Sequence, residues 1–123
     1  MPWHVQALPD QAIVETSYIG RLSLPELFEA VQETLATVRQ TQKYCLLGDC
    51  SALEGGHSLV DLFGMIDQII ASGLAHKLKE AVVLPRLPAA QDRVEFWELA
   101  CTNRGLRVKL FTDRASAIDW LTK

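Results

Sequence analysis

An acid, an imidazole and a hydroxyl fall close together near the middle of the chain, as Asp49, His57 and Ser58, and the Cys50 thiol adjoins the first of them. These are the parts of two nucleophilic systems: a serine deprotonated by an acid-oriented histidine, or a cysteine paired with a histidine. Neither has its usual setting. Ser58 lies in no G-x-S-x-G elbow, and a histidine directly preceding a serine rarely turns its ring onto that hydroxyl. Each residue also has a structural use, Asp49 in a turn, Ser58 as a helix N-cap and Cys50 in the core. Gly55-Gly56 is a turn rather than a phosphate loop, since no GxGxxG or Walker pattern surrounds it. Cys45, Cys50 and Cys101, with His4, His57 and His76, show neither zinc spacing nor an even cysteine count. The expectation is a domain without catalysis, metal or cofactor.

The remaining composition narrows the partners. At 123 residues, 49% hydrophobic and 22% charged, the chain reads as one domain spanning 1–123 with an ordinary core. Its net charge of −3 offers no positive field for nucleic acid. The start, Met1-Pro2-Trp3-His4, lacks the basic and apolar regions of a secretory leader, and no apolar run approaches a membrane span. A cytoplasmic location is expected.

The elements that must position these residues follow from periodicity and caps. His4 to Leu8 and Ala12 to Ile19 read as strands joined by a Pro9-Asp10 turn. Ser23 and Glu26 form a capping box with Pro25 in the first turn, and Leu24, Leu27, Phe28, Val31, Leu35 and Val38 carry a helical stripe. Tyr44 to Gly48 is a buried strand ended by Asp49, followed by a loop from Cys50 to His57. Ser58 and Asp61 repeat the capping box before Leu59, Leu62, Phe63, Ile66, Ile69 and Ile70, with Gly73 as the C-cap. Ala81 to Leu84 is a second apolar strand, stopped by Pro85 and Pro88. Gln91 to Asn103 forms a helix ending at Gly105, Arg107 to Phe111 an alternating edge strand, and Asp113 caps a last helix with Ala117, Ile118 and Leu121 inward.

The order ββαβαβαβα predicts an α/β domain: a single-layer, mixed, mostly parallel five-stranded sheet with flanking helices. Laid down in sequence order, the sheet has the two apolar strands at its centre and most helices on one face. A partly bare second face suggests a homodimer. Ligands of such sheets gather beyond the carboxyl ends of the strands. That edge collects Arg21, Asp49, Ser51, His57, Ser58, Arg86 and Asp113, and the amides at the start of the Ser58 helix, with Arg21 or Arg86, could hold an anion.

The run Leu46-Leu47-Gly48-Asp49-Cys50-Ser51-Ala52-Leu53 and the tail Gly105 to Asp113 followed by Ala117-Ile118-Asp119-Trp120-Leu121 resemble the SpoIIAA-like family of the STAS superfamily. The resemblance runs along nearly the whole chain. It implies a four- to five-stranded sheet similar to those of anti-sigma-factor antagonists and of the lipid-binding CRAL-TRIO fold, and it implies no chemistry. In the antagonists a serine near the start of the second helix, within a stretch like Asp-Ser-Ser-Gly, is phosphorylated by a partner kinase. Ser58 holds about that place, but its surroundings are His57-Ser58-Leu59-Val60, without the acid, second serine or glycine. Two functions are therefore expected. One is a regulatory module that binds a protein partner through a wide apolar surface carrying Phe96, Trp97 and Trp120. The other is a carrier of a small apolar or amphipathic ligand, suggested by Leu59, Phe63, Met65 and Ile66 on one helix.

Overall fold

The computed structural model describes residues 2–55 and 57–123. Its elements run β1 (Trp3–Ala7), β2 (Ile13–Arg21), α1 (Leu24–Thr41), β3 (Cys45–Gly55), α2 (Leu59–Ala71), a 3₁₀ turn (Ala75–Lys77), β4 (Lys79–Val83), α3 (Pro88–Asn103), β5 (Arg107–Phe111) and α4 (Arg114–Leu121). The five strands lie in the order β1-β2-β3-β4-β5, with β1 antiparallel to β2 and the other pairs parallel. The expected α/β class and element order are those observed.

Local signals set most element boundaries. Both capping boxes form: Ser23 Oγ accepts from the Glu26 N–H and Ser58 Oγ from that of Asp61, while each N3 carboxylate accepts from its N-cap N–H. Asp113 caps α4 through the Ser116 N–H at 2.8 Å. Pro88 stops no element but opens α3 at its first turn, where a missing N–H costs nothing.

Strand β4 starts at Lys79 rather than Ala81 and α3 at Pro88 rather than Gln91, and the largest departure from the sequence reading is in β3. β3 does not end at Asp49 but continues to Gly55, because the long β2 pairs with it as far as Arg21↔Gly55. Register shifts between Ser17 and Ile19 and between Gly20 and Arg21 break the two-residue period, which is why Cys50 to Gly55 reads as loop. Gly20 and Gly55 sit at φ 72° and 115°, beside the second of these shifts.

The two sheet faces differ. Helices α1, α2 and α3 cover one, over a core that includes Val14, Leu46, Val82, Leu35, Ile66 and Cys101. Buried Thr16 and Thr34 share a 2.7 Å hydroxyl contact there, and Thr34 donates to the Ala30 carbonyl. Helix α4 covers the other face over Ile13, Leu47, Ala81 and Val83. The second face is less bare than expected: among the described residues α4 caps its apolar part, and beyond it the two-residue period places the polar His4, Gln6, Glu15, Ser17 and Asp49, with Ile19 the one large apolar residue left exposed there. Arg114 of α4 closes onto that strip, donating to both carboxylate oxygens of Glu15 at 3.0 and 2.8 Å.

Candidate functional site

The residues expected at the carboxyl edge of the sheet separate into two groups. Asp49, Ser51 and Asp113 belong to the α4 side. Asp49 Oδ1 accepts the Ser51 N–H at 3.0 Å, and two bonds from Ser116 hold the Asp113 carboxyl below its usual pKa range. Arg86 is exposed in the loop after β4. Arg21, His57 and Ser58 lie on the opposite side, where burial first, then Arg93 of α3 and Arg21 at the end of β2, disfavour the His57 proton.

Neither nucleophilic system assembles. Ser58 Oγ is engaged as a cap, and the buried His57 Nδ1 has no hydrogen-bond partner among the described residues. Burial first, then the nearby Glu80 and Asp49 carboxylates, push the Cys50 thiol far up, the reverse of an activated nucleophile. Among the described residues no cluster of three or more histidines, cysteines and acids could hold a metal ion.

The three aromatic residues expected on an interaction surface are placed differently. Trp97 is in the core at 9% exposure and donates its Nε1–H to Glu80 Oε1 at 2.9 Å. Trp120 packs against Phe111, with the Lys79 ammonium 4.3 Å from its ring centre. Phe96 is half-buried, its ring edge-to-face with Phe63 at 5.5 Å. Met65 and Ile66, read as ligand contacts, are core residues, whereas Leu59 and Phe63 reach solvent.

The feature that the sequence reading missed lies between these positions. Beneath α2 and α3 is a cavity of about 60 Å³. Tyr18 of β2, Gly48 and Cys50 of β3 and Glu80 of β4 form its floor, with Leu62 and Met65 of α2 and Val94 and Trp97 of α3 above, and His57 and Arg93 also line it. A second void of about 20 Å³ touches Glu80 and Trp97 from the β5 side. Glu80 is half-buried and lines both spaces, and among the described residues its one side-chain hydrogen-bond partner is the neutral indole N–H. Burial pushes its carboxyl up to about 7, against the opposing effect of the Trp97 bond. Burial chiefly also raises Tyr18 and Cys101, with the Glu80 charge adding to both. A sequence signal for this site existed in Lys79-Glu80-Ala81-Val82-Val83, an acid one step ahead of an apolar run. Starting the strand at Ala81 left Glu80 outside it.

No family model and no curated protein matches the chain. Solved structures do. An uncharacterized DUF3478-family protein from Shewanella loihica PV-4, described as having a SpoIIAA-like fold, superposes with a TM-score of 0.59 at 19% identity, over 97% of this chain and 91% of its own. The anti-sigma factor antagonist SpoIIAA in its unphosphorylated form gives 0.61 at 13% identity, over 96% of each chain. An anti-sigma factor antagonist from Mycobacterium paratuberculosis gives 0.63 at 19% identity, over 98% and 95%. The fold is SpoIIAA-like. In this chain Ser58 caps α2 with its hydroxyl, and among the described residues no helix is long and apolar enough to cross a membrane.

Proposed function

We propose that the chain is a non-catalytic regulatory module that binds another protein through the apolar surface where α1 and α2 begin. The observation that carries this reading is exposure of large apolar side chains: Leu59 at 39%, Val60 at 77%, Phe63 at 45% and, from the start of α1, Leu24 at 37%. The two helices run side by side, since Gln68 donates to the Phe28 carbonyl and the Phe28 ring lies against Gly64. Three of these residues lie within five positions of one helix, next to its capped end, and Phe63 is braced by Phe96. A cluster of this kind is costly to leave wet and commonly marks a protein contact. The SpoIIAA-like neighbours described as anti-sigma factor antagonists support a regulatory setting.

Carriage of an apolar ligand fits less well. The cavity beneath α2 and α3 is about 60 Å³, far below the roughly 300 Å³ at which pockets for drug-sized ligands begin, so it has no room for a lipid-like chain.

Affinity purification from native cells tests the reading, comparing the wild-type chain with Val60→Glu and Phe63→Ser. One protein recovered in constant ratio with the wild type and lost with both variants, at unchanged far-UV circular dichroism, is the expected result. Recovery of the chain alone, or of the same proteins with all three, would overturn it.

A further inference from the structure

The cavity over β3 and β4 has chemistry that the proposed protein contact does not use, and Gly48 gives the first indication. This glycine lies in the interior of a central strand, where glycine weakens pairing and frequently marks close approach of a ligand. Nothing in the fold requires it. Its φ is not in the left-handed region, and a Cβ built there would meet only ordinary contacts: Glu80 Oε2 at 3.6 Å, Val82 Cγ2 at 3.7 Å and the Ala81 carbonyl oxygen at 3.9 Å. An alanine would fit and would fill part of the space.

The cavity's polar groups form a second, independent observation. Glu80 offers Oε2 on the floor, with no cation bonded to it among the described residues, while Oε1 is taken by Trp97. His57 brings a buried Nδ1 without a partner, and Arg93 lines the same space. Leu27, Leu53, Leu62, Met65 and Val94 supply apolar walls between these groups. An acid with an oxygen to spare, an imidazole nitrogen without a partner among the described residues and an arginine, all lining one small apolar chamber, are complementary to a molecule with a cationic head, a short apolar body and an anionic tail. A purely cationic ligand would face Arg93, and a purely anionic one would face Glu80.

We propose that this cavity binds a small zwitterion of the amino-acid type, its ammonium on Glu80 Oε2 and its carboxylate on Arg93 and His57. The bound molecule carries no net charge into the core, and each ionic end meets its opposite. Burial of the Glu80 carboxyl without a cation, which holds its proton to higher pH, is relieved when the ammonium arrives. This site is independent of the protein-binding surface, since it lies below α2 rather than on its exposed side.

A length series of probes tests the proposal. Glycine, β-alanine and 4-aminobutyrate are titrated at pH 8 into the ¹⁵N-labelled chain, with ethylammonium and propionate as the two isolated halves, following the Trp97 indole N–H resonance. At least one zwitterion is expected to shift it saturably, with affinity tenfold or more above either half. Glu80→Gln and Arg93→Gln should each weaken that affinity at least tenfold. Gly48→Ala should abolish the shift while melting no lower than wild type. No saturable shift with any of the three, meaning a cavity that holds only water, would overturn the proposal, as would equal binding of one half. A shift that survives unchanged in Glu80→Gln overturns it even if Gly48→Ala fails to fold.

Discussion

Glu15 and Glu80 are two carboxyls on neighbouring parts of one sheet, sheltered by opposite layers, and they meet opposite fates. Glu15, on the α4 face, has a side chain only 6% exposed and is gripped at both oxygens by Arg114, with Gln6 donating to it as well. Glu80, under α2 and α3, has one neutral donor and two small voids. The first arrangement is a finished structural ion pair, because every developed charge has its counter-charge in place. The second leaves a charge without one, which a fold selected only for stability would replace. Two acids packed on one sheet can therefore be sorted into structure and function by their partners.

The largest expected effect tests the structural half. Arg114→Met strands Glu15 against the sheet and should cost about 2 to 3 kcal/mol at pH 7 in urea unfolding, the low end for a broken buried pair because Arg114 itself is half exposed. A loss below about 0.5 kcal/mol would make the pair an ordinary surface salt bridge.

The functional half predicts a change of opposite sign and similar size. With a native pKa of about 7 against an ordinary 4.5, native Glu80 keeps a proton that the unfolded chain has lost over that window. Its contribution to stability is therefore complete below pH 4.5 and falls as pH rises to 7. Glu80→Gln should accordingly leave stability nearly unchanged at pH 4.5 and raise it by roughly 2 to 3 kcal/mol at pH 8. Tyr18, Cys50, Cys101, His57 and Arg93 surround the group or its cavity and are common to both proteins. His57, whose pKa is lowered by burial, acts with the opposite sign as pH falls below 6.5, so the difference between the proteins isolates Glu80. A difference independent of pH would sink this account of Glu80.

Smaller effects sharpen the contrast at the start of α2. Ser58→Ala should cost about 1 kcal/mol of thermal stability through loss of the cap. Val60→Glu, two residues on and 77% exposed, should change stability by less than about 0.5 kcal/mol while removing partner binding. A large loss of stability in the second variant would place Val60 in the core and remove the proposed surface.

How much of this was legible in the sequence depended on the range of the signals. The Ser23 and Ser58 capping boxes, the Asp113 cap and β5 are written within four or five consecutive residues, and each was readable. The run of β3 past Asp49 was not, because its evidence is the pairing partner β2 and two register shifts that erase alternation. Of the adjacent Phe96 and Trp97, Trp97 is the more deeply buried, and its indole is bonded to Glu80, seventeen positions away in the chain. The same distance hid the candidate site: Tyr18, Gly48, Glu80 and Arg93 stand on four elements and share no local motif. Sequence order correctly put most helices on one face, but the polar strip beside α4 emerged only once the sheet's period fixed which side each residue took.

The most direct test of the contrast between the two acids is a ¹³C NMR titration of the Glu80 side-chain carboxyl in the wild-type protein. A midpoint of about 7 is predicted, and a midpoint near 4.5 would contradict it.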